Sequence, residues 1–227
     1  VVGAGPGGLA AALAAARMGV KTTLVERFGC FGGNITTVGV EGFAWYRHEQ
    51  TVEAGGLGRE FEDRAKEMGT AVPESQSLSY ELDSEGFKLV ADRLIEEAGV
   101  IPMLHRLFVA PIMDGDRVTG IITESKAGRE ALLAKVVIDA TGDADIAHRA
   151  GAPITKPPKE DLQAASVMFL CSGVGKKKFM EDVKENPLTY ADWSTGEWTV
   201  ETYGKEDTMF SPFIKKPFEQ ARQSGLI

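Results

Sequence analysis

Residues 1–26, VVGAGPGGLAAALAAARMGVKTTLVE, decide the fold of this chain. A glycine-rich turn near the start joins an apolar stretch to an alanine-rich segment, Leu9 to Met18, which has strong helix propensity. Gly19 can end that helix in the left-handed conformation. The next segment, Val20 to Val25, is β-branched and apolar, as a buried parallel strand should be. This order of strand, glycine turn, helix and strand predicts half of a βαβ unit and an α/β fold.

The turn itself, Gly3-Ala4-Gly5-Pro6-Gly7-Gly8, has the GxGxxG spacing of dinucleotide-binding folds. In that spacing the first glycine permits the tight turn, the second lets the backbone approach a pyrophosphate, and the third lets the helix pack closely on the sheet. The free N–H groups at the helix start then face the phosphate charge. Glu26 ends the second strand, where a carboxylate can bind ribose hydroxyls and would repel a 2′-phosphate. The residues therefore predict a dinucleotide site that disfavours NADP.

The segment after Glu26 bears on the choice between NAD and FAD. A simple NAD-binding domain would continue into another crossover soon after Glu26, whereas this chain inserts Gly32-Gly33-Asn34 and a loop-rich excursion as far as Tyr80. That excursion favours FAD. An NAD-dependent dehydrogenase stays open as the alternative, as does a nucleotide-binding module without turnover.

Two further helices are predicted downstream. One covers about Leu57 to Met68 and ends at Gly69. The other follows an N-cap at Asp83-Ser84 and continues with helical spacing of apolar residues to Gly99.

Strands and hairpins are predicted from position 100 onward. We expect one strand from Val100 to Val109, then two hairpins that turn at Asp114-Gly115 and at Ala127-Gly128. Val136 to Ile138 is apolar on both faces, so we expect it at the centre of the parallel sheet.

The amino-acid composition changes after Gly151, where prolines form a rigid connection. Beyond it, Leu162 to Leu170 is predicted as a strand and Lys176 to Lys184 as a short helix. The predicted organisation is an FAD-binding domain at 1–33 and 81–152, a covering segment at 34–80, and a partial substrate or cap domain at 153–227.

Composition narrows the class of protein. Of the 227 residues, 43% are hydrophobic and 26% charged, and the net charge is −8, so a nucleic acid is not an expected partner. Nothing approaches the roughly 20 apolar residues of a membrane span.

The two cysteines, Cys30 and Cys171, lie far apart and form no CxxC pair. This spacing favours a reducing compartment, hence a cytoplasmic location, and predicts no metal site. Cys30 is expected to be a packed thiol rather than a redox group.

Two strings carry a resemblance to a known family. The opening string VVGAGPGGLAAALAAARMGVKTTLVERFGCFGGN resembles the start of FAD-dependent oxidoreductases of the glutathione-reductase-like, two-dinucleotide-binding-domain superfamily. The later string DGDRVTGIITESKAGREALLAKVVIDATGDADIAHRAGAP is similar to the hairpins and the A-T-G-D turn of the same group. The likeness covers roughly Val1 to Pro153, with fumarate reductase flavoproteins and thiazole-synthesis enzymes as more distant relatives. It implies a Rossmann-like FAD-binding domain with a parallel sheet, inserted antiparallel hairpins and part of a second substrate lobe.

The resemblance also implies roles for individual residues toward FAD. The pyrophosphate would be contacted by Gly3, Gly5, Pro6 and Gly7. Glu26 and Arg27 would hold the adenosine ribose, and Gly32, Gly33 and Asn34 the diphosphate and ribityl side. Phe108 or Val109 would contact adenine through its backbone, and Ala140, Thr141, Gly142 and Asp143 would close over the cofactor.

The implied activity is hydride transfer between a small-molecule substrate and the flavin, followed by electron transfer to an acceptor. The substrate, the acceptor, the catalytic residues and the oligomeric state stay open. Such proteins usually return late in the sequence to a Gly-Asp segment that holds the ribityl chain and the flavin ring, and none occurs before Ile227. We therefore expect the chain to be part of a longer protein, with residues including the initiator Met missing upstream.

Overall fold

A computed structural model describes residues 1–42, 47–48, 51–52, 55–73, 79–162, 172–185 and 215–226 of the chain. The chain divides into two compact units, Val1–Met168 and Phe169–Ile227. The helices of the first unit are α1 (Pro6–Arg17), α2 (Leu57–Glu67), α3 (Ser84–Glu97) and α4 (Asp145–Arg149). Its strands are β1 (Thr23–Val25), β2 (Arg47–His48), β3 (Thr51–Val52), β4 (Ala71–Pro73), β5 (Tyr80–Leu82), β6 (Ile101–Met103), β7 (Leu107–Asp114), β8 (Arg117–Ser125) and β9 (Gly128–Leu133).

Parallel pairing organises the centre of this unit. β1 pairs in parallel with β6, with Thr23 opposite Ile101. On the other side of β1, Val2 forms a parallel bridge with Val25 and a second one with Asp139. The order across the sheet is therefore β6, β1, Val2 and Asp139. This arrangement confirms the predicted α/β fold with a strand feeding the glycine turn.

Helix α1 begins earlier than predicted, at Pro6 instead of Leu9, and ends at Arg17. Proline fits the first helical position because its missing N–H would have no intrahelical acceptor there. Gly19 has φ +82°, which confirms its predicted place in the left-handed stop. Leu9 and Leu13 are buried, so the helix is held against the sheet by one apolar face.

Helices α2 and α3 complete the core on the side of α1. Asp83 caps α3 as predicted, since its carboxylate accepts from the Glu85 N–H at 3.0 Å. The Phe61 ring of α2 meets the Phe87 ring of α3 edge to face, with centroids 6.3 Å apart. At the surface, the Arg17 guanidinium of α1 pairs with the Glu60 carboxylate of α2 at 2.6 Å. The predicted helix from Leu57 is thus confirmed as an element packed on the other two.

The antiparallel sheet consists of β7, β8 and β9 in that order. Both predicted hairpins are confirmed, since Asp114 pairs with Arg117 across a turn at 115–116 and Ser125 pairs with Gly128 across a turn at 126–127. Each turn lies one residue from its predicted dipeptide. β7 is irregular between Phe108 and Ala110, where the register shifts by one residue.

The prediction of one continuous strand from Val100 to Val109 is wrong. The chain bends between β6 and β7 at His105, which has φ +54°. The bend is fixed because the His105 N–H donates to the Phe28 carbonyl at 3.1 Å and the Arg106 N–H to the Glu26 carbonyl at 2.8 Å. Apolar composition alone does not show where a strand leaves one sheet for another.

The expected position of residues 136–138 at the centre of the parallel sheet is also wrong. The Val2 N–H donates to the Ile138 carbonyl at 3.0 Å, so the segment joins the sheet beside Val2. Within the described ranges, no strand pairs with its other side, and Val136 is 75% exposed. An apolar run indicates a capacity for burial, but burial also needs a neighbouring element on each face.

The second unit contains α5 (Lys176–Glu185) and α6 (Lys215–Gln223). The predicted helix from Lys176 is confirmed. The strand predicted over Leu162 to Leu170 lies outside the described residues, apart from Leu162 itself. None of the helices in the described part of the chain is long and apolar enough to cross a membrane.

Candidate functional site

A cleft of about 860 Å³ opens at the carboxyl ends of the parallel strands, where α1 begins. This is the position at which open α/β sheets bind ligands, and the volume lies within the roughly 300–1,000 Å³ of small-molecule sites. The segments that follow Val2, β1 and residue 138 all contribute to its walls. The glycine turn and the A-T-G-D turn, far apart in sequence, therefore meet at one site.

Most of the predicted site residues line this cleft. They are Gly3, Gly5, Pro6, Gly7, Glu26, Arg27, Gly33, Asn34, Phe108, Ala140, Thr141 and Gly142. Their roles toward a ligand stay predictions, but the structure brings them together.

Three predicted site residues do not line the cleft: Gly32, Val109 and Asp143. The Gly32 N–H donates to the Ala4 carbonyl at 2.8 Å, so this glycine ties the following loop to the turn. The Val109 carbonyl accepts from the Arg149 guanidinium at 2.5 Å. Asp143 is exposed.

Packing inside the protein requires glycine at positions 3, 8 and 33, among others. A Cβ at Gly3 would lie 2.2 Å from the Ala140 carbonyl oxygen, and one at Gly8 would lie 1.8 Å from the Gly3 carbonyl oxygen. A Cβ at Gly33 would lie 2.7 Å from the Cα of Gly5. Gly3 and Gly33 also have positive φ, +93° and +54°. The expected tight turn at Gly3 and close helix packing at Gly8 are therefore visible in the backbone.

Two other glycines have no such requirement. A Cβ at Gly5 or Gly7 would meet no protein atom within 4 Å, and neither residue has a positive φ. Glycine is costly for folding because it loses more backbone entropy than any other residue. Both positions line the cleft. Their lack of a side chain therefore leaves room for something that enters the cleft.

The start of α1 adds main-chain donors to the same wall. The first intrahelical hydrogen bond runs from the Leu9 N–H to the Gly5 carbonyl at 2.9 Å. The N–H groups of Gly7 and Gly8 come before it, and no side chain caps this end of the helix. Unpaired N–H groups and the helix dipole together favour an anion here.

Glu26 has a structural task in addition to the one predicted. Its carboxylate is buried, and one oxygen accepts from the Ala4 N–H at 2.7 Å while the other accepts from the Phe28 N–H at 2.9 Å. The side chain thus fixes the glycine turn to the end of β1. Because an ionised carboxylate offers about four lone-pair sites, acceptor capacity remains for a hydroxyl group.

Sequence reasoning missed Asp139, which lines the cleft. Burial alone would raise its pKa, but hydrogen bonds from Ala147, Thr141 and Ile146 outweigh that effect and lower the pKa. Asp139 is therefore an anion at neutral pH. A signal was available, since a polar residue that directly follows an apolar run at the carboxyl end of a parallel strand tends to face the ligand.

Two arginines in the cleft wall were also missed. Arg106 pairs with Glu130, and the Arg149 guanidinium lies 5.9 Å from the centre of the Phe108 ring. No sequence pattern distinguishes these arginines from surface ones, because their position depends on the bend before β7 and on the start of α4.

Cys30 does not line the cleft. Its sulfur lies 3.9 Å from the hydroxyl oxygens of Thr36 and Thr37, and it forms no disulfide. Among the described residues, no group of three or more histidine, cysteine, aspartate or glutamate side chains could hold a metal ion.

Comparison with known proteins places this geometry in a family. The FAD dependent oxidoreductase family matches residues 1–224. Thiamine thiazole synthase of Metallosphaera sedula is 33% identical over 158 residues, which cover 64% of this chain and 54% of that protein. Thiamine thiazole synthase of Saccharolobus solfataricus is 34% identical over 160 residues, or 64% of this chain and 55% of that protein. The chain thus matches these relatives over about half of their length.

A solved structure supports the fold. The crystal structure of Thermovibrio ammonificans THI4 superposes with a TM-score of 0.50 at 20% identity, covering 66% of this chain and 60% of that one. The family match agrees with the glycine turn and with the buried glutamate at the end of β1. The chain belongs to the FAD dependent oxidoreductase family, whose cofactor is FAD.

Proposed function

We propose that the cleft binds the ADP portion of FAD, and that the chain is the FAD-binding part of an oxidoreductase acting on a small molecule. The observation that carries this proposal is the pair Gly5 and Gly7. Neither the backbone φ nor protein packing requires glycine at these positions, because a Cβ at either one would project into open space. A diphosphate that must approach the main chain accounts for the absence of a side chain at both positions.

In this proposal each wall of the cleft has a task. The N–H groups at the start of α1 donate to the diphosphate, and the remaining lone pairs of Glu26 accept from the adenosine ribose. Arg27 lies beside the ribose, and Asn34 faces the ribityl side. Phe108 borders the adenine, while Ala140, Thr141 and Gly142 form the turn over the cofactor.

Bound FAD supplies the redox chemistry, because its ring system accepts a hydride from a substrate. The chain's own residues bind and orient the cofactor and keep water from the cleft. We assign no catalytic side chain among the residues named here. The second reactant is an electron acceptor whose identity stays open, and segments 34–80 and 153–227 are proposed to cover the substrate.

Reconstitution with FAD tests this proposal. The purified chain should become yellow when FAD is added, with bands near roughly 370 and 450 nm, and a reductant should bleach them. Reoxidation that depends on an added small molecule would then identify the substrate class. A preparation that is folded but has no affinity for FAD would overturn the proposal.

Thiamine thiazole synthesis is a second candidate, favoured by the 33% identity to the Metallosphaera sedula enzyme over 158 residues. Its test is growth of a bacterial strain that cannot make the thiazole of thiamine. Growth without added thiazole, after expression of a protein containing this chain, would support this candidate. Reduction and reoxidation of FAD without such rescue would favour a different substrate.

We further propose that the protein belongs to the glutathione-reductase-like branch of flavoproteins, that this chain is part of a longer protein, and that it is cytoplasmic. The GxGxxG turn with a glutamate at the end of β1 supports the first point. The match over 54% of the Metallosphaera sedula relative supports the second. The presence of only two cysteines, far apart in the sequence, supports the third. Localisation of a tagged protein by fractionation tests the location.

A further inference from the structure

We propose that Asp139 is a positioning residue, which holds the turn at residues 140–142 and the start of α4 in the form that receives FAD. The inference rests on the proposed function, because it assumes that the ADP portion of FAD occupies the cleft. It concerns a residue to which neither the family pattern nor the spacing of motifs assigned a role.

The main chain fixes Asp139 beside the strand that leads into the glycine turn. Asp139 forms a parallel bridge with Val2, and the Ala140 N–H donates to the Val2 carbonyl at 2.9 Å. Any shift of this segment is therefore transmitted to the residue that directly precedes Gly3.

The side chain of Asp139 accepts four hydrogen bonds from two different segments. One oxygen accepts from the Thr141 N–H at 3.1 Å and from the Thr141 hydroxyl at 2.7 Å. The other accepts from the N–H groups of Ile146 and Ala147, each at 2.9 Å. One carboxylate thus joins the turn to the helix that follows it.

Helix α4 depends on this carboxylate. It has five residues, too few to be stable alone, and Ala144 at its N-cap provides no side-chain hydrogen bond. Ala144 also has φ +56°, an unfavourable conformation for a residue with a Cβ. The Thr141 hydroxyl accepts from the Asp145 N–H at 2.9 Å, so Asp139 and Thr141 together provide acceptors for three N–H groups at the helix start.

The same residues border the cleft. Asp139 and Thr141 both line it. The Ala140 carbonyl oxygen lies so close to Gly3 that a Cβ at position 3 would come within 2.2 Å of it. The turn therefore has little freedom to move toward the glycine loop. Without the carboxylate, it would move away from that loop and open the wall that closes over the cofactor.

The test compares Asp139→Asn with Asp116→Asn. Asparagine keeps one acceptor oxygen but replaces the other with an NH₂ group, so in either orientation of the amide the N–H groups on one side, Thr141 or Ile146 and Ala147, lose their acceptor. Asp116 is an exposed aspartate in the turn between β7 and β8 that does not line the cleft, so its amide variant is a matched control. Each variant is titrated with FAD, its apoprotein is unfolded with urea, and the visible circular dichroism of bound flavin is recorded at saturation.

We expect Asp139→Asn to raise the Kd for FAD by about 10- to 100-fold, the effect of losing hydrogen bonds to a charged group. We also expect a changed flavin circular dichroism and faster hydrogen exchange, measured by NMR, at the N–H groups that lose their acceptor, which are those of Ile146 and Ala147 or that of Thr141. The Asp116 variant should match wild type in all of these. If Asp139 were merely structural, its replacement would lower the free energy of unfolding but leave the Kd for FAD and the flavin signal of the folded protein unchanged. That result would overturn the proposal.

A second variant, Thr141→Val, keeps the test valid if Asp139→Asn does not fold. It removes one donor to Asp139 and the acceptor for the Asp145 N–H, and we expect a smaller rise in Kd of about 5- to 10-fold. Wild-type affinity for FAD in Thr141→Val would overturn the role of the network. Failure of the wild-type chain itself to bind FAD would instead overturn the proposed function, and the role of Asp139 with it.

Discussion

The Ala140 carbonyl oxygen lies so close to Gly3 that a Cβ at position 3 would come within 2.2 Å of it. This contact joins the glycine turn at the start of the chain to the A-T-G-D turn at the end of the antiparallel insertion. Two sequence motifs that resemble one family therefore form a single wall of one cleft. Glycine is needed at position 3 for this contact, whereas it is not needed for packing at positions 5 and 7.

We expect Gly7→Ala to separate cofactor binding from folding. The new methyl group meets no protein atom within 4 Å, so the apoprotein should keep its stability or gain up to about 1 kcal/mol from reduced entropy of the unfolded chain. The Kd for FAD should rise by about tenfold or more, because the methyl group occupies space needed by the diphosphate. Urea unfolding and fluorescence titration measure the two effects.

Gly8→Ala is the matched control for this prediction. Its Cβ would lie 1.8 Å from the Gly3 carbonyl oxygen, so overpacking should destabilise the apoprotein by about 3 kcal/mol or more. Equal loss of stability in the two variants would contradict the division of the glycines into packing and ligand positions.

Glu26→Lys should reduce both FAD content and stability. The substitution removes the acceptors for the Ala4 and Phe28 N–H groups and places a cation at a buried position. A loss of about 3 kcal/mol in the free energy of unfolding is expected, as for other uncompensated buried charges. Glu96→Lys, at an exposed position of α3, is the control and should change neither quantity. Full retention of FAD by Glu26→Lys would count against the assigned site.

Thr123→Val should stabilise the protein. The Thr123 hydroxyl is fully buried and has no hydrogen-bond partner among the described residues. Replacing it with a methyl group of similar shape removes that desolvation penalty, which is worth about 1 kcal/mol or more. Because Thr123 does not line the cleft, the Kd for FAD should not change. A drop in the urea midpoint would show that the hydroxyl has a partner.

Acid should weaken the fold partly through Asp139. Its pKa is lowered in the folded state, so its contribution to stability is complete above the unfolded value of about 3.9 and is lost as pH falls through the folded pKa. The difference in unfolding free energy between wild type and Asp139→Asn should therefore be constant above about pH 5 and should shrink below about pH 4. A difference that grows on acidification would contradict this sign.

The predictable part of this protein was its local chemistry. The predictions of the glycine turn, the Asp83 cap and the two hairpins were correct, because each depends on backbone conformations or hydrogen bonds within a few residues. The resemblance likewise indicated which distant motifs belong to one site.

The parts that could not be predicted depend on tertiary position. The bend at His105 exists because its N–H donates to a carbonyl of the loop after β1. Val136 is exposed because, among the described residues, its segment has a strand on one side only. Asp139 was missed because its partners in α4 are main-chain N–H groups, which leave no residue-type signature.

The most direct test of the account is a competition titration against FAD bound to the purified chain, with ADP and FMN as competitors. Because the cleft at the start of α1 is proposed to hold the ADP portion, ADP should displace FAD at a much lower concentration than FMN. Displacement by FMN while saturating ADP leaves FAD bound would contradict the assignment of this cleft.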